Sequence, residues 1–267
     1  MELRREALQV LCLRDPAHKA EAARALHAAA VAGASPLDTE SVLQPADALP
    51  GRPALPRVVP PAQVPQRSPF TADGRAALLH AIAHIEFNAI NLALDAVWRF
   101  VGMPAAYYQD WLRVAAEEAL HFTLLREHLQ SLDHDYGDFD AHDGLWLMAE
   151  KTRDDPIARM ALVPRTLEAR GLDATPPIQA KLRRAGDLRA VEILDVILHD
   201  EVGHVAIGNH WYAWLCERAG LEPVAHYAVL TERYAAPRLK PPFNRPARLA
   251  AGFSEVELAY LEATGHP

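Results

Sequence analysis

"ILHDEVGHVAIGNHW", residues 197–211, reads as helix with two residues out of place. The positions Ala190, Leu194, Ile197, Val205, Gly208, Trp211 and Leu215 step by three and four, as the buried stripe of an amphipathic helix does. Glu201 and His204 stand inside that stripe, where Leu or Ala is expected. Burying a carboxylate without a partner costs on the order of several kcal/mol, so this helix demands a compensating group.

The same anomaly recurs along the chain. A stripe of Ile82, Ala89, Ile90, Ala93 and Val97 carries Glu86, and a second of Trp111, Val114, Ala115, Phe122 and Leu125 carries Glu118 and His121. Ile157, Ala161 and Pro164 lead to Glu168 in a third. Glu118–His121 and Glu201–His204 are both Glu-x-x-His, a spacing of about 300° that lets both side chains reach one point beside the helix. One such motif is expected by chance; two, each in an apolar face, are not.

The escorts match as well. Glu86 precedes Glu118 by 32 residues and Glu168 precedes Glu201 by 33, so the chain holds two helix pairs of the form Glu, then Glu-x-x-His. One Glu from each of two helices, with Glu-x-x-His from each of two others, is the ligand set of a di-iron or di-manganese carboxylate bundle. Two cations would compensate the four carboxylates, and imidazole with carboxylate suits iron or manganese. An acid precedes each motif glutamate: Glu117 and Asp200. Each reads either as an acceptor for the free ring N–H of a metal-bound histidine or as a solvent-facing acid.

The rest of the chain supports an all-α reading. Residues 3–12 and about 16–33 form short helices, followed by a proline-rich stretch with prolines at 50, 53, 56, 60, 61, 65 and 69. That stretch reads as an ordered arm with apolar anchors Leu55, Val58, Val59 and Val64. Long helices follow over about 72–101 and 104–131, then a segment over 143–170 that breaks near Pro156 and stops at Gly171, then a helix from about 177 to Arg218. Two short helices and a Pro/Arg-rich tail complete the chain. The expected organisation is 1–70 as helices and arm, 71–220 as the metal-bearing bundle and 221–267 as a C-terminal extension, packed as one unit.

Composition narrows the class. A formal charge of −8 argues against nucleic-acid binding. Two cysteines, Cys12 and Cys216, make no disulfide framework, and the N-terminus lacks a secretory leader. The apolar region 76–103 is interrupted by polar residues, so no membrane span is expected and a cytoplasmic location is. Arg233, Arg238, Lys240, Arg245 and Arg248 read as a solvated or carboxylate-paired surface. His80 and His84 read as surface or arm contacts, His199 as pointing away from Glu201, and His128 as a faint partner for the metal-bound histidines. Tyr107, Tyr108, Trp211 and Tyr212 are aromatic positions for a substrate wall, or plain core.

The strings "RAALLHAIAHIEFNAINLALDAVWRF", "EEALHF", "VPRTLEARGLD" and "HDEVGHVAIGNHWY" resemble the bacterial ferritin-like family DUF455, as do the arm "PGRPALPRVVPPAQVPQRS" and the tail "PPFNRPARLAAGF". The resemblance spans nearly the whole chain. It implies a ferritin-like four-helix core with metal ligands at Glu86, Glu118, His121, Glu168, Glu201 and His204. Glu150 stands as the alternative to Glu168, because Pro164 bends the helix that aims it. The chain is similar, more distantly, to the tRNA-hydroxylating di-iron enzymes. The expectation is therefore two iron ions (manganese or mixed Fe/Mn as alternatives) in an O2-activating oxidase or hydroxylase. Its substrate would be a small molecule or a modified nucleoside, with a reductant protein as electron donor. Ferroxidase or iron handling, manganese-catalase chemistry and a non-catalytic helical scaffold are the competing readings.

Overall fold

A computed structural model describes residues 2–265. The described residues form helices joined by loops, with an isolated bridge between Val58 and Ala141 but no strand. The chain divides into two compact units, one of residues up to 146 with 185–193, the other of 147–184 with 194 onward.

The first unit is built from α1 (Leu3–Cys12), α2 (Pro16–Val31), α3 (Ala72–Arg99) and α4 (Ala105–Ser131). Local chemistry sets the starts. The Glu2 carboxylate accepts from Arg4 and Arg5 N–H, Asp15 from His18 N–H ahead of Pro16, and Thr71 from Gly74 N–H. Gly102, at φ +70°, turns the chain between α3 and α4. Helix α3 packs on α4, with the Phe87 and Phe122 rings 5.4 Å apart and Leu79, Ile90, Leu94, Trp111, Leu112, Ala115 and Leu125 buried. By length and composition α3 alone among the described helices could cross a membrane, and 78% of its most apolar window is buried within the protein.

The proline-rich arm is ordered, but its expected anchors are not what holds it. Leu55 and Val58 are 59% and 43% exposed, and Val59 and Val64 are half-buried. Backbone and charge do the anchoring instead. Val59 N–H donates to Ala141 O at 2.8 Å and Ala141 N–H returns to Arg57 O at 3.0 Å. The Arg57 guanidinium grips Asp140 at 3.0 and 2.6 Å, and Gly51 N–H donates to Leu11 O at 2.9 Å. The polyproline backbone keeps side chains at wide spacing and offers few N–H donors, so the remaining donors and the arginines carry the attachment. Two buried basic side chains complete it. Arg4 donates to the carbonyls of Trp98, Val97, Asp38 and Ser41, closing the end of α3. Lys19 Nζ donates to Gly51 O at 2.7 Å and Asn91 Oδ1 at 2.6 Å, and burial pulls its amine down to about 7.

The second unit holds α6 (Pro156–Leu162), a π-helical segment (Val163–Glu168), α7 (Ala169–Arg184) and the portion of α8 (Leu188–Ala219) from Leu194 on. It continues through α9 (Pro223–Arg233), α10 (Arg245–Ala250) and α11 (Glu255–Thr264). A short α5 (Gly144–Lys151) spans the boundary between units. Ala169, Leu172, Val205, Leu239, Ala251, Phe253, Leu258 and Leu261 form a core cluster.

Three expectations need correction here. The helix does not stop at Gly171: α7 runs to Arg184 with Pro176 and Pro177 inside it. Gly171 lies within the helix beside Glu201, and a Cβ there would make an ordinary contact 3.8 Å from Glu201 Cδ. The break falls instead at Gly186, φ +81°, and Asp187 Oδ1 accepts from Ala190 N–H to start α8. Among the described residues three short helices, not two, follow α8.

Candidate metal centre

Pro164 lacks an N–H and its ring crowds the carbonyl one turn earlier, so a regular helix cannot pass through it. The chain widens to a π turn over Val163–Glu168, a form that accommodates the extra residue. The Thr166 hydroxyl donates to Ala161 O at 2.8 Å and bonds the Tyr227 hydroxyl at 2.6 Å. Gly208 of α8 lets this turn come close: a Cβ there would sit 2.6 Å from Pro164 Cβ. Glu168, last residue of the turn, is buried, whereas Glu150 is exposed.

In the first unit Glu86, Glu118 and His121 are brought together. All three are buried, and each offers a ligand atom within 4.8 Å of the others'. His121 Nδ1 lies 3.3 Å from Glu118 Oε2 and 3.3 Å from Glu86 Oε2. One ring proton cannot serve both: the aligned hydrogen bond runs to Glu118, and Glu86 Oε2 has no hydrogen-bond partner. Burial first, then the neighbouring Glu118 charge, push the Glu86 carboxyl up to about 8. Two carboxylates and an imidazole crowded together in a dry site form a donor set that a divalent cation satisfies.

In the second unit Glu201 and His204 are buried, with His204 Nδ1 4.0 Å from Glu201 Oε2. Glu168 joins no group of three such ligands among the described residues. Glu117 and Asp200 are half-buried.

The other histidines separate clearly. Of the two readings for His80 and His84, surface or arm contact, the surface one fails: both are buried, and the loop after α4 covers them. Gly137 N–H donates to His80 Nε2 at 2.9 Å, and His84 Nδ1 meets the Tyr136 hydroxyl at 2.8 Å. Burial pulls both imidazoles down, to about 4 and about 3 respectively, so both are neutral at pH 7. His128 Nε2 bonds Asp187 Oδ1 at 2.9 Å, at the start of α8. His199 is exposed.

Tyr107, Tyr108, Trp211 and Tyr212 are all buried. The Tyr108 hydroxyl donates to Phe100 O and that of Tyr212 to Pro223 O, the contacts of packed core. Of the basic cluster, Arg233, Arg238 and Lys240 are exposed. Arg245 pairs with Glu255 and Glu262, and the buried Arg248 grips Asp173 at 3.0 and 2.6 Å. Sequence reasoning passed over Arg165, one residue after the helical proline. Its buried guanidinium bonds Asn209 and Glu257.

Fold and site thus define an all-helical protein with buried Glu/His groups of metal-binding composition. The chain belongs to the DUF455 family, described as proteins of unknown function, whose profile matches residues 12–259. It is 52% identical to an uncharacterised protein of Haemophilus influenzae, with 81% of this chain and 78% of the relative covered. No solved structure matches.

Proposed function

We propose that the chain is a di-iron carboxylate protein of the ferritin-like superfamily, an O2-activating oxidase or hydroxylase. The observation that carries the reading is the buried trio Glu86, Glu118 and His121, with one Glu86 oxygen left without a hydrogen bond. Such a trio is costly to bury on its own and fits a cation of the iron or manganese kind. The repeat of the pattern at Glu168, Glu201 and His204 supports six ligands for two metals, on a four-helix ferritin-like core.

Glu86, Glu118 and His121 would hold the metals with Glu168, Glu201 and His204. Bound there in its reduced state, an iron pair would supply the electrons for O2 activation. The chain's own residues do the rest. Burial keeps water away from the carboxylates, which strengthens their hold on a cation. The His121 ring is held against Glu118, so Nδ1 is the nitrogen turned toward the carboxylates. The two cysteines are both free thiols, which supports a reducing, cytoplasmic setting.

Anaerobic reconstitution of metal-free protein with Fe(II), followed by metal counting and optical spectra on exposure to O2, tests the reading. About two irons per chain and an O2-dependent absorption change are expected. No bound iron ends it, and assemblies holding hundreds of irons would favour storage.

A further inference from the structure

We infer that Arg165 is a positioning residue for Glu168, setting the affinity of the second metal equivalent through the register of the π turn. This rests on the metal reading above. Arg165 sits three residues before Glu168 inside that turn. A π turn carries one residue more than the α-helical path, so relaxing it would rotate later side chains by about 100°. Whatever holds the turn therefore decides where Glu168 sits.

Arg165 is tied on several sides. Its Nη1 donates to Asn209 Oδ1 of α8 at 2.6 Å, and Nη2 pairs with Glu257 of α11. Glu257 is itself held, its Oε2 accepting from Ser254 N–H and Oγ at 2.7 and 2.8 Å. The guanidinium lies over Phe253, Tyr212 and Tyr227 at 4.6, 5.4 and 5.4 Å. A buried ion pair is poor at adding stability and better at fixing register. Here it links the turn before Glu168 to two other helices. Glu86, Glu118 and His121 lie on regular helices and need no such device.

The test is equilibrium Fe(II) titration under anaerobic conditions of wild type, Arg165→Met, Arg165→Lys, Glu257→Gln and Asp155→Ala. Asp155 caps α6, so its loss destabilises the neighbouring helix without touching Arg165. Wild type is expected to bind two equivalents. Arg165→Met and Glu257→Gln should bind the first unchanged and the second about 10–100-fold more weakly, the usual effect of removing a ligand's support. Arg165→Lys should recover part of the loss, and Asp155→Ala should keep both equivalents. Equal weakening of both equivalents in Arg165→Met, no weakening, or the same loss in Asp155→Ala overturns the inference while leaving the metal reading intact. A wild type that takes up no iron overturns both.

Discussion

The two Glu, Glu-x-x-His sets are alike in sequence and unlike in construction. In the first unit the glutamates ride on two long, regular helices, and Glu86, Glu118 and His121 come together without help. In the second, Glu168 ends a π turn forced by Pro164 and braced by Arg165, Thr166 and Gly208. The same Glu and Glu-x-x-His pattern is thus carried once by default helix geometry and once with its first glutamate at the end of a distorted turn. A repeated motif specifies chemistry; the backbone that presents it is free to differ.

The largest expected effect comes from striking both sets at once. Glu118→Ala with His204→Ala should drop bound iron from about two per chain to none, with helical circular dichroism retained. Persistence of both equivalents would mean the sets are not ligands.

The next prediction concerns the first set alone. Glu86 titrates higher in the folded protein, at about 8, than in the unfolded chain. Above the unfolded value the unfolded chain releases a proton that the folded one keeps. Metal-free protein should therefore be most stable at and below pH 4.5 as far as this group is concerned, and lose stability up to pH 8. The slope would be at most about 1.4 kcal/mol per pH unit. Urea denaturation of chelator-treated protein across that range reads it. Glu86→Gln should flatten the slope, and bound metal should abolish it. An unchanged slope in Glu86→Gln would assign it elsewhere.

For the second set, Gly208→Ala pushes a methyl to within 2.6 Å of Pro164 Cβ. About 1–3 kcal/mol of lost stability is expected by overpacking, seen in thermal unfolding. Asp155→Ala, which removes the cap of α6, should cost about 1 kcal/mol. A Gly208→Ala loss no larger than that of Asp155→Ala would show that the close approach at Pro164 is yielding.

Much of the first unit was legible in the sequence because its signals are local. The stripes at three and four that set the helices over 72–101 and 104–131 act within a few residues. The second unit was misread where a local signal had a non-local cause. Gly171 looks like a stop, yet the helix runs through it to Arg184. Proline in a helix reads as a break, yet the turn around it is bonded by residues far along the chain, Tyr227 to Thr166 and Asn209 and Glu257 to Arg165. His80 and His84 looked like surface because the loop that buries them lies more than 50 residues away. All six residues of the two sets proved buried, while which of them group around one point depended on backbone detail that a stripe does not encode.

Gly51 carries a consequence of its own. Any side chain there would begin 2.0 Å from the Cys12 carbonyl oxygen, and the same residue's backbone meets Leu11 and Lys19. The proline-rich arm turns Leu55 and Val58 outward, yet at residue 51 a lone methyl group would unseat it. Residue 51 is in effect a latch, and a protease sensitive to opened loops would report its release while the helices beneath stayed folded.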